Sequence, residues 1–211
     1  MKRLLALASL LSLGLASAQS FGLTLGAGYR GGAGIEANLF ARQLGATPYG
    51  LRLAATANIG DAYDDDHSVT SFNFARPDEN GIVEGALNVG AGLDLLYTLP
   101  TEVPNLSVDL YAGPRANFFI GTESDSTNFA TTESLQYGLG GGAAATYKLA
   151  RFLNLVFDAG LDGYLPAPFN VTTKDGSATV RPGDPNYQAV DDLVQQPKLL
   201  LKLKLGLQLS F

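Results

Sequence analysis

Two groups of residues in this sequence have types and spacings that could do chemistry. The first is Asp61-Ala62-Tyr63-Asp64-Asp65-Asp66-His67, the densest polar cluster, which holds the only His of the chain. Several carboxylate oxygens together can take a hard divalent cation. Three adjacent Asp residues do not converge without a special turn, however, and the spacing of an EF-hand loop is absent, so a solvated acidic loop is the favoured reading. His67 beside Ser68, or near Ser71, has the residue types of a base and a nucleophile for acyl transfer. Sequence neighbours alone do not make that geometry, and nothing marks an oxyanion hole. No catalytic residue is therefore assigned, and neither an enzyme nor a cofactor is expected.

The second group is dispersed. Glu36, Arg42, Arg52, Asp94, Asp109, Arg115, Lys148, Asp158, Asp162, Lys198, Lys202 and Lys204 are five acids and seven bases spread over most of the chain. They can act together only if the elements carrying them turn one face to a common interior.

Those elements are legible in the last segment, Lys198 to Phe211. Leucines at 199, 201, 203, 205, 207 and 209, closed by Phe211, recur with a period of two. Successive side chains of a strand point to opposite sides, so this is a strand with a greasy face and a charged one. Seven more segments read alike: Phe21 to Tyr29, Ala33 to Arg42, Tyr49 to Ile59, Ala86 to Thr98, Leu106 to Phe118, Leu135 to Lys148 and Leu153 to Tyr164. With the apolar faces assigned, all twelve charges above fall on the opposite face. Chance would do this about once in four thousand trials for a period-two geometry. Pro114 predicts a bulge that could shift the register just before Arg115.

A soluble barrel would turn its apolar face inward. Three features predict the inverse. The segments are long enough to cross the hydrocarbon at a tilt, which takes about nine to eleven residues. Their apolar faces are mostly Leu, Ala and Val. Aromatic residues stand at the ends, where interfacial girdles form. Phe21, Tyr49, Tyr97, Tyr147 and Phe211 fall at one end if the strands alternate up and down.

Other features bound the compartment. Lys2 and Arg3, the apolar run Leu4 to Leu15 and then Ala16-Ser17-Ala18 have the form of a signal peptide, residues 1–18, with the barrel domain spanning 19–211. The run is too short for a transmembrane helix, and no longer one follows. With no Cys there is no disulfide or thiolate metal site, and with 46% hydrophobic residues and 25 Gly the chain reads as all-β. Linkers 43–48, 99–105 and 149–152 are short, whereas those near 60–85, 119–134 and 165–197 are long. Counted over 60–83, 119–134 and 166–196, the long ones are acidic and sum to −10 of the formal charge, against −6 for the whole chain. Such a surface disfavours nucleic acid and attracts cations or basic partners. Val69-Thr70-Ser71-Phe72-Asn73-Phe74 alternates within one of them and could offer a strand edge.

The signal sequence, the eight alternating segments and the terminal Gln208-Leu209-Ser210-Phe211 resemble the small outer-membrane barrels, the membrane domain of OmpA and the OmpX and OmpW types. The resemblance is one of architecture over nearly all the mature chain, and no residue motif ties it to a single family. It implies an eight-stranded antiparallel up-and-down transmembrane β-barrel in a bacterial outer membrane, monomeric, with lipid and the barrel-assembly machinery as its partners. In such proteins the C-terminal Phe, here Phe211, is the assembly signal, the short turns and termini are periplasmic, and the long loops are extracellular. An eight-stranded lumen is just wide enough for side chains to fill. The twelve charges are accordingly expected to form a salt-bridged plug, with small inward residues such as Gly22, Gly26, Gly28, Gly138, Gly140 and Gly142 making room. The expected role is structural or surface-binding. A narrow pore is the alternative, and a lipid-modifying enzyme using His67 a third reading.

Overall fold

The computed structural model of the chain describes residues 20–60, 83–124, 129–194 and 196–211. Ten strands form one antiparallel sheet: β1 (Ser20–Arg30), β2 (Ala33–Arg42), β3 (Tyr49–Gly60), β4 (Val83–Leu99), β5 (Leu106–Ser124), β6 (Phe129–Lys148), β7 (Leu153–Tyr164), β8 (Phe169–Thr173), β9 (Gly176–Val180) and β10 (Leu199–Ser210). Eight of them close into a ring in the order β1-β2-β3-β4-β5-β6-β7-β10, with β8 attached to the upper part of β6 and β9 paired to β8. A short α-helix, α1 (Tyr187–Leu193), precedes β10.

The faces follow the period of two. Leu25, Leu53, Leu95, Leu161, Leu203 and Leu205 are exposed on the outer wall, while Glu36, Arg52, Asp94, Asp158, Lys202 and Lys204 are buried inside it. Such an outer wall would be unstable in water and is suited to hydrocarbon. Phe21, Tyr49, Tyr97, Tyr147 and Phe211 are exposed at the end of the short turns, where the Tyr49 and Tyr97 rings lie 5.5 Å apart. Tyr29, Phe118 and Tyr137 are exposed on the outer wall toward the opposite end, the loop end.

Following the rungs from Phe21 through Ala41, Leu51, Leu95, Ala112, Gly141, Leu161 and Leu201 leads back to β1 one step beyond Arg30. The ring is therefore staggered by about ten residues per circuit, and stagger of this kind is what tilts the strands of a closed barrel. Tilt carries inward side chains from distant parts of the sequence to one level.

Two expectations are corrected. Pro114 makes no bulge: the β5–β6 pairing runs unbroken through Pro114↔Leu139, and the β4–β5 pairing has the same register on both sides of a gap at Leu93 and Asp94. Only rungs on the β4 side are missing there, and Pro114 faces outward, so it leaves Arg115 aimed at the lumen. The linkers 119–134 and 165–197 are also not simple loops. β5 and β6 run on to Ser124 and from Phe129, and β8 pairs with β6 where β7 leaves off, its register shifted by one residue. At 17, 19 and 20 residues, β4, β5 and β6 are far longer than a membrane crossing needs. They project as a wall above the loop end.

Candidate functional site

The lumen is occupied by a chain of ion pairs that alternates in sign across the barrel. Arg30 on β1 donates from Nε to Asp162 on β7 at 2.7 Å, and Arg115 on β5 donates to the other Asp162 oxygen at 2.8 Å. Arg115 also reaches Asp94 on β4 at 2.6 Å. The second Asp94 oxygen takes Arg52 of β3 at 2.7 Å, and Arg52 bridges on to Asp158 at 2.8 Å. Asp158 is shared with Lys202 of β10 at 3.1 Å, and Lys202 and Lys204 flank Glu36 of β2 at 3.7 Å each. Each carboxylate in this run thus lies between two cations. Such pairing is the condition for keeping charge out of water, because a buried charge deprived of its partner is costly.

Aromatic and small residues set the spacing. The Tyr111 ring lies under the Arg52 guanidinium, 3.5 Å from ring centre to Cζ, and its hydroxyl donates to Asp158 at 2.6 Å. Arg30 is bonded to the Tyr164 hydroxyl as well. Glycine is required at two positions by close approach. A Cβ on Gly140 would sit 1.9 Å from Asp162 Oδ1, and one on Gly142 would sit 2.5 Å from the Tyr111 hydroxyl.

Below this run, toward the short turns, Phe40, Leu96, Tyr111, Ala144 and Val156 form an apolar layer inside the barrel. Beneath it a separate pair, Arg42 and Asp109, closes at 2.6 Å, with Thr98 donating to Asp109 at 2.7 Å. Above the ion pairs, Asn117 donates to Asn88 at 3.0 Å, and Gln136 donates to the Pro197 carbonyl at 2.7 Å. Two voids within the ion-paired lumen measure about 20 Å³ and about 10 Å³. Holding one water takes about 10–15 Å³.

The wall above the loop end carries its own core. Phe119, Phe169, Val171, Val180, Tyr187, Val190, Leu193 and Val194 are buried together with Ala86. The Tyr187 hydroxyl donates to the Ala167 carbonyl at 3.1 Å, and burial, with Asp191 nearby, pushes that phenol above its ordinary pKa. Gln196 is bonded to Ser134, and Lys198 pairs with Asp191 at 2.8 Å, tying the segment after α1 to the wall and to the start of β10.

A chain so built matches solved outer-membrane proteins. A major outer membrane protein from Thermus thermophilus superimposes with a TM-score of 0.82 and 34% sequence identity, over 91% of this chain and 98% of that one. The chain belongs to the family of that outer-membrane β-barrel protein. Acinetobacter baumannii CarO is a more distant neighbour, with 15% identity, a TM-score of 0.45 and coverage of 90% of this chain and 97% of that one. No family model matches the sequence, and no curated protein does.

In this outer-membrane barrel, Glu36, Arg42, Arg52, Asp94, Asp109, Arg115, Asp158, Asp162, Lys202 and Lys204 all turn into the lumen. Lys148 and Lys198 do not, which corrects their assignment. Lys148 has inward parity but is the last residue of β6, exposed at the rim where the lumen has ended. Lys198 precedes β10, and its side chain is 58% exposed beside Asp191. Arg30, 2% exposed, is the lumen residue that the sequence reading missed by treating it as part of the first turn. Its signal was there: Arg30 shares parity with Gly26 and Gly28, so β1 had only to run one residue further. Phe211 ends the chain among the turn-end aromatics, its N–H bonded to the Phe21 carbonyl at 2.9 Å. Asp61–His67, Ser68, Ser71, the strand-like Val69–Phe74 and residues 1–18 lie outside the described residues.

Proposed function

We propose that this protein is a non-enzymatic, non-conducting outer-membrane barrel whose role is structural or surface-binding, presented through its projecting wall and acidic loops. The observation that carries this reading is the filled lumen, in which every carboxylate of the central run lies between two cations and the two voids are each about the size of a water. The short turns and both ends of the mature chain are assigned to the periplasm and the projecting wall to the outside, since outer-membrane barrels carry their longer loops outward. The net charge of the loops suits a cationic or basic ligand and disfavours nucleic acid. Residues 1–18 act as the export signal, Phe211 as the mark read by the assembly machinery, and the barrel works as a monomer surrounded by lipid.

Conductance in planar bilayers tests the reading. The unmutated barrel should hold the current near background. Replacing both Arg52 and Arg115 by Ala frees Asp94 of its two partners and opens space at the middle of the run, so a cation-selective conductance should appear. Large, stable unitary currents from the unmutated protein would overturn the plug in favour of a narrow pore.

A further inference from the structure

We propose that the outward face of the projecting wall binds the sugar headgroup of an uncharged outer-leaflet glycolipid, an inference that rests on the surface role and the orientation proposed above. Strand pairing aligns that face in rows. Ile120, Glu133, Asn170 and Thr179 are successive rung partners across β5, β6, β8 and β9, and Thr122, Thr131, Thr172 and Ser177 form the next row up. Side chains within a row stand about 5 Å apart, and the rows about 7 Å. All are exposed except Ile120 and Thr131, which are half-buried. Phe129, one step above Thr131 on the same face, is 48% exposed. The inner face of the wall is already covered, since Phe119, Phe169, Val171 and Val180 are buried with residues of α1. On the outer face, the side chains of Thr131 and Glu133 have no partner among the described residues. Thr179 donates to Asn170 Oδ1 at 2.9 Å, which leaves the Asn170 NH2 group free among them.

Position identifies the layer that meets these rows. Phe118 and Leu135, themselves rung partners, lie one step below the first row and belong to the apolar outer wall. The rows therefore continue the lipid-facing wall upward into the headgroup region, which adds about 5–8 Å on each side of the hydrocarbon. A layer of that depth reaches the first row alone. The second row and Phe129 are met by the thicker layer that sugar headgroups build. Chemistry identifies the class. Hydroxyl, amide and carboxylate groups between them donate and accept, as sugar hydroxyls do, and the exposed Phe129 ring suits the apolar C–H face of a sugar. The two rows carry one charge, the Glu133 carboxylate, and no cation, whereas a phosphate headgroup calls for Arg or Lys. Lys174 stands beyond them, in the turn between β8 and β9.

The test reconstitutes the full barrel in phosphatidylcholine vesicles containing a minor fraction of monoglucosyl diacylglycerol or, separately, of phosphatidylglycerol. An amine-oxide detergent, which carries no sugar, extracts the protein, and native mass spectrometry counts the lipids it retains. The glucolipid should be enriched over its share of the vesicle lipid, and phosphatidylglycerol should not. Glu133→Ala and Asn170→Ala should each lower the enrichment about fivefold, the effect of one lost hydrogen bond. Both side chains are exposed, so the gel mobility of the unheated variants should match that of the parent barrel. Absence of enrichment, equal enrichment of phosphatidylglycerol, or a glucolipid signal undiminished in both variants would overturn the proposal. Binding of free methyl glucoside that depends on Asn170, with no enrichment of the glucolipid, would overturn the lipid and leave a soluble glycan. Conductance does not depend on these side chains, so failure here leaves the plugged barrel standing.

Discussion

Arg52 joins Asp94 to Asp158 across the lumen while stacking on Tyr111. Replacing it by Ala leaves two carboxylates each short of a cation, with Arg115 the remaining partner of Asp94, and Lys202 and Tyr111 those of Asp158. Arg52→Ala should therefore lose about 3–5 kcal/mol in urea unfolding from lipid bilayers, as expected for a broken buried pair. On the outer wall the sign of the rule inverts. Leu203 is exposed on the outer wall between the buried Lys202 and Lys204. Leu203→Arg should cost about 2–4 kcal/mol near the midplane and block insertion. Lys202→Leu should still insert, because Asp158 keeps Arg52 and Glu36 keeps Lys204. Gel mobility of the unheated samples reads both outcomes, and the opposite order would mean that the faces are reversed.

At the scale of elements, β8, β9 and α1 form a layer whose packing is independent of the ion pairs below it. Leu193 is 4% exposed in that layer, so Leu193→Ala should cost about 2–5 kcal/mol locally. The loss should appear as faster protease cleavage between residues 165 and 198, with the barrel itself still resistant. Tyr187 gives the same layer a pH dependence with a definite sign. Its phenol is held above the ordinary value of 10.0, so the folded layer retains a proton that the opened segment releases. This contribution is complete below about pH 10 and is lost as pH rises through and beyond that value. Hydrogen exchange in α1 should accelerate in that range, and Tyr187→Phe should remove the dependence.

The whole molecule is a ring in which, among the described residues, no strand edge is left free at membrane depth, which is the condition for a sheet to cross hydrocarbon. The rungs that complete it are those between β1 and β10, from Gly22↔Ser210 to Arg30↔Lys202. Closure thus waits on the last residues of the chain. Phe211 sits just past that final strand, bonded through its N–H to Phe21. Deleting it should leave export intact but reduce the fraction that migrates as a folded, heat-modifiable species from cells. An undiminished folded fraction would remove Phe211 as the assembly mark.

Parity along a strand is a local property, and it was enough to determine the two faces and ten of the residues now seen in the lumen, while segment length and the aromatic ends gave the inverted polarity. Leu203 and Lys202 need no partner to reveal which way each points. Partners are another matter. Arg52 meets Asp158, and Arg30 meets Asp162, more than a hundred positions away. The stagger of the closed ring brings them level, and no single strand encodes it. Where the lumen stops is equally a tertiary fact, so Lys148 and Lys198 had the right parity and the wrong height, while Arg30 was deep enough to be enclosed. The layer above the loop end stayed hidden for a further reason. Its strands are five residues long and its helix seven, too short for a period to show, and they exist because Phe119 and the upper part of β6 supply the surface on which they fold.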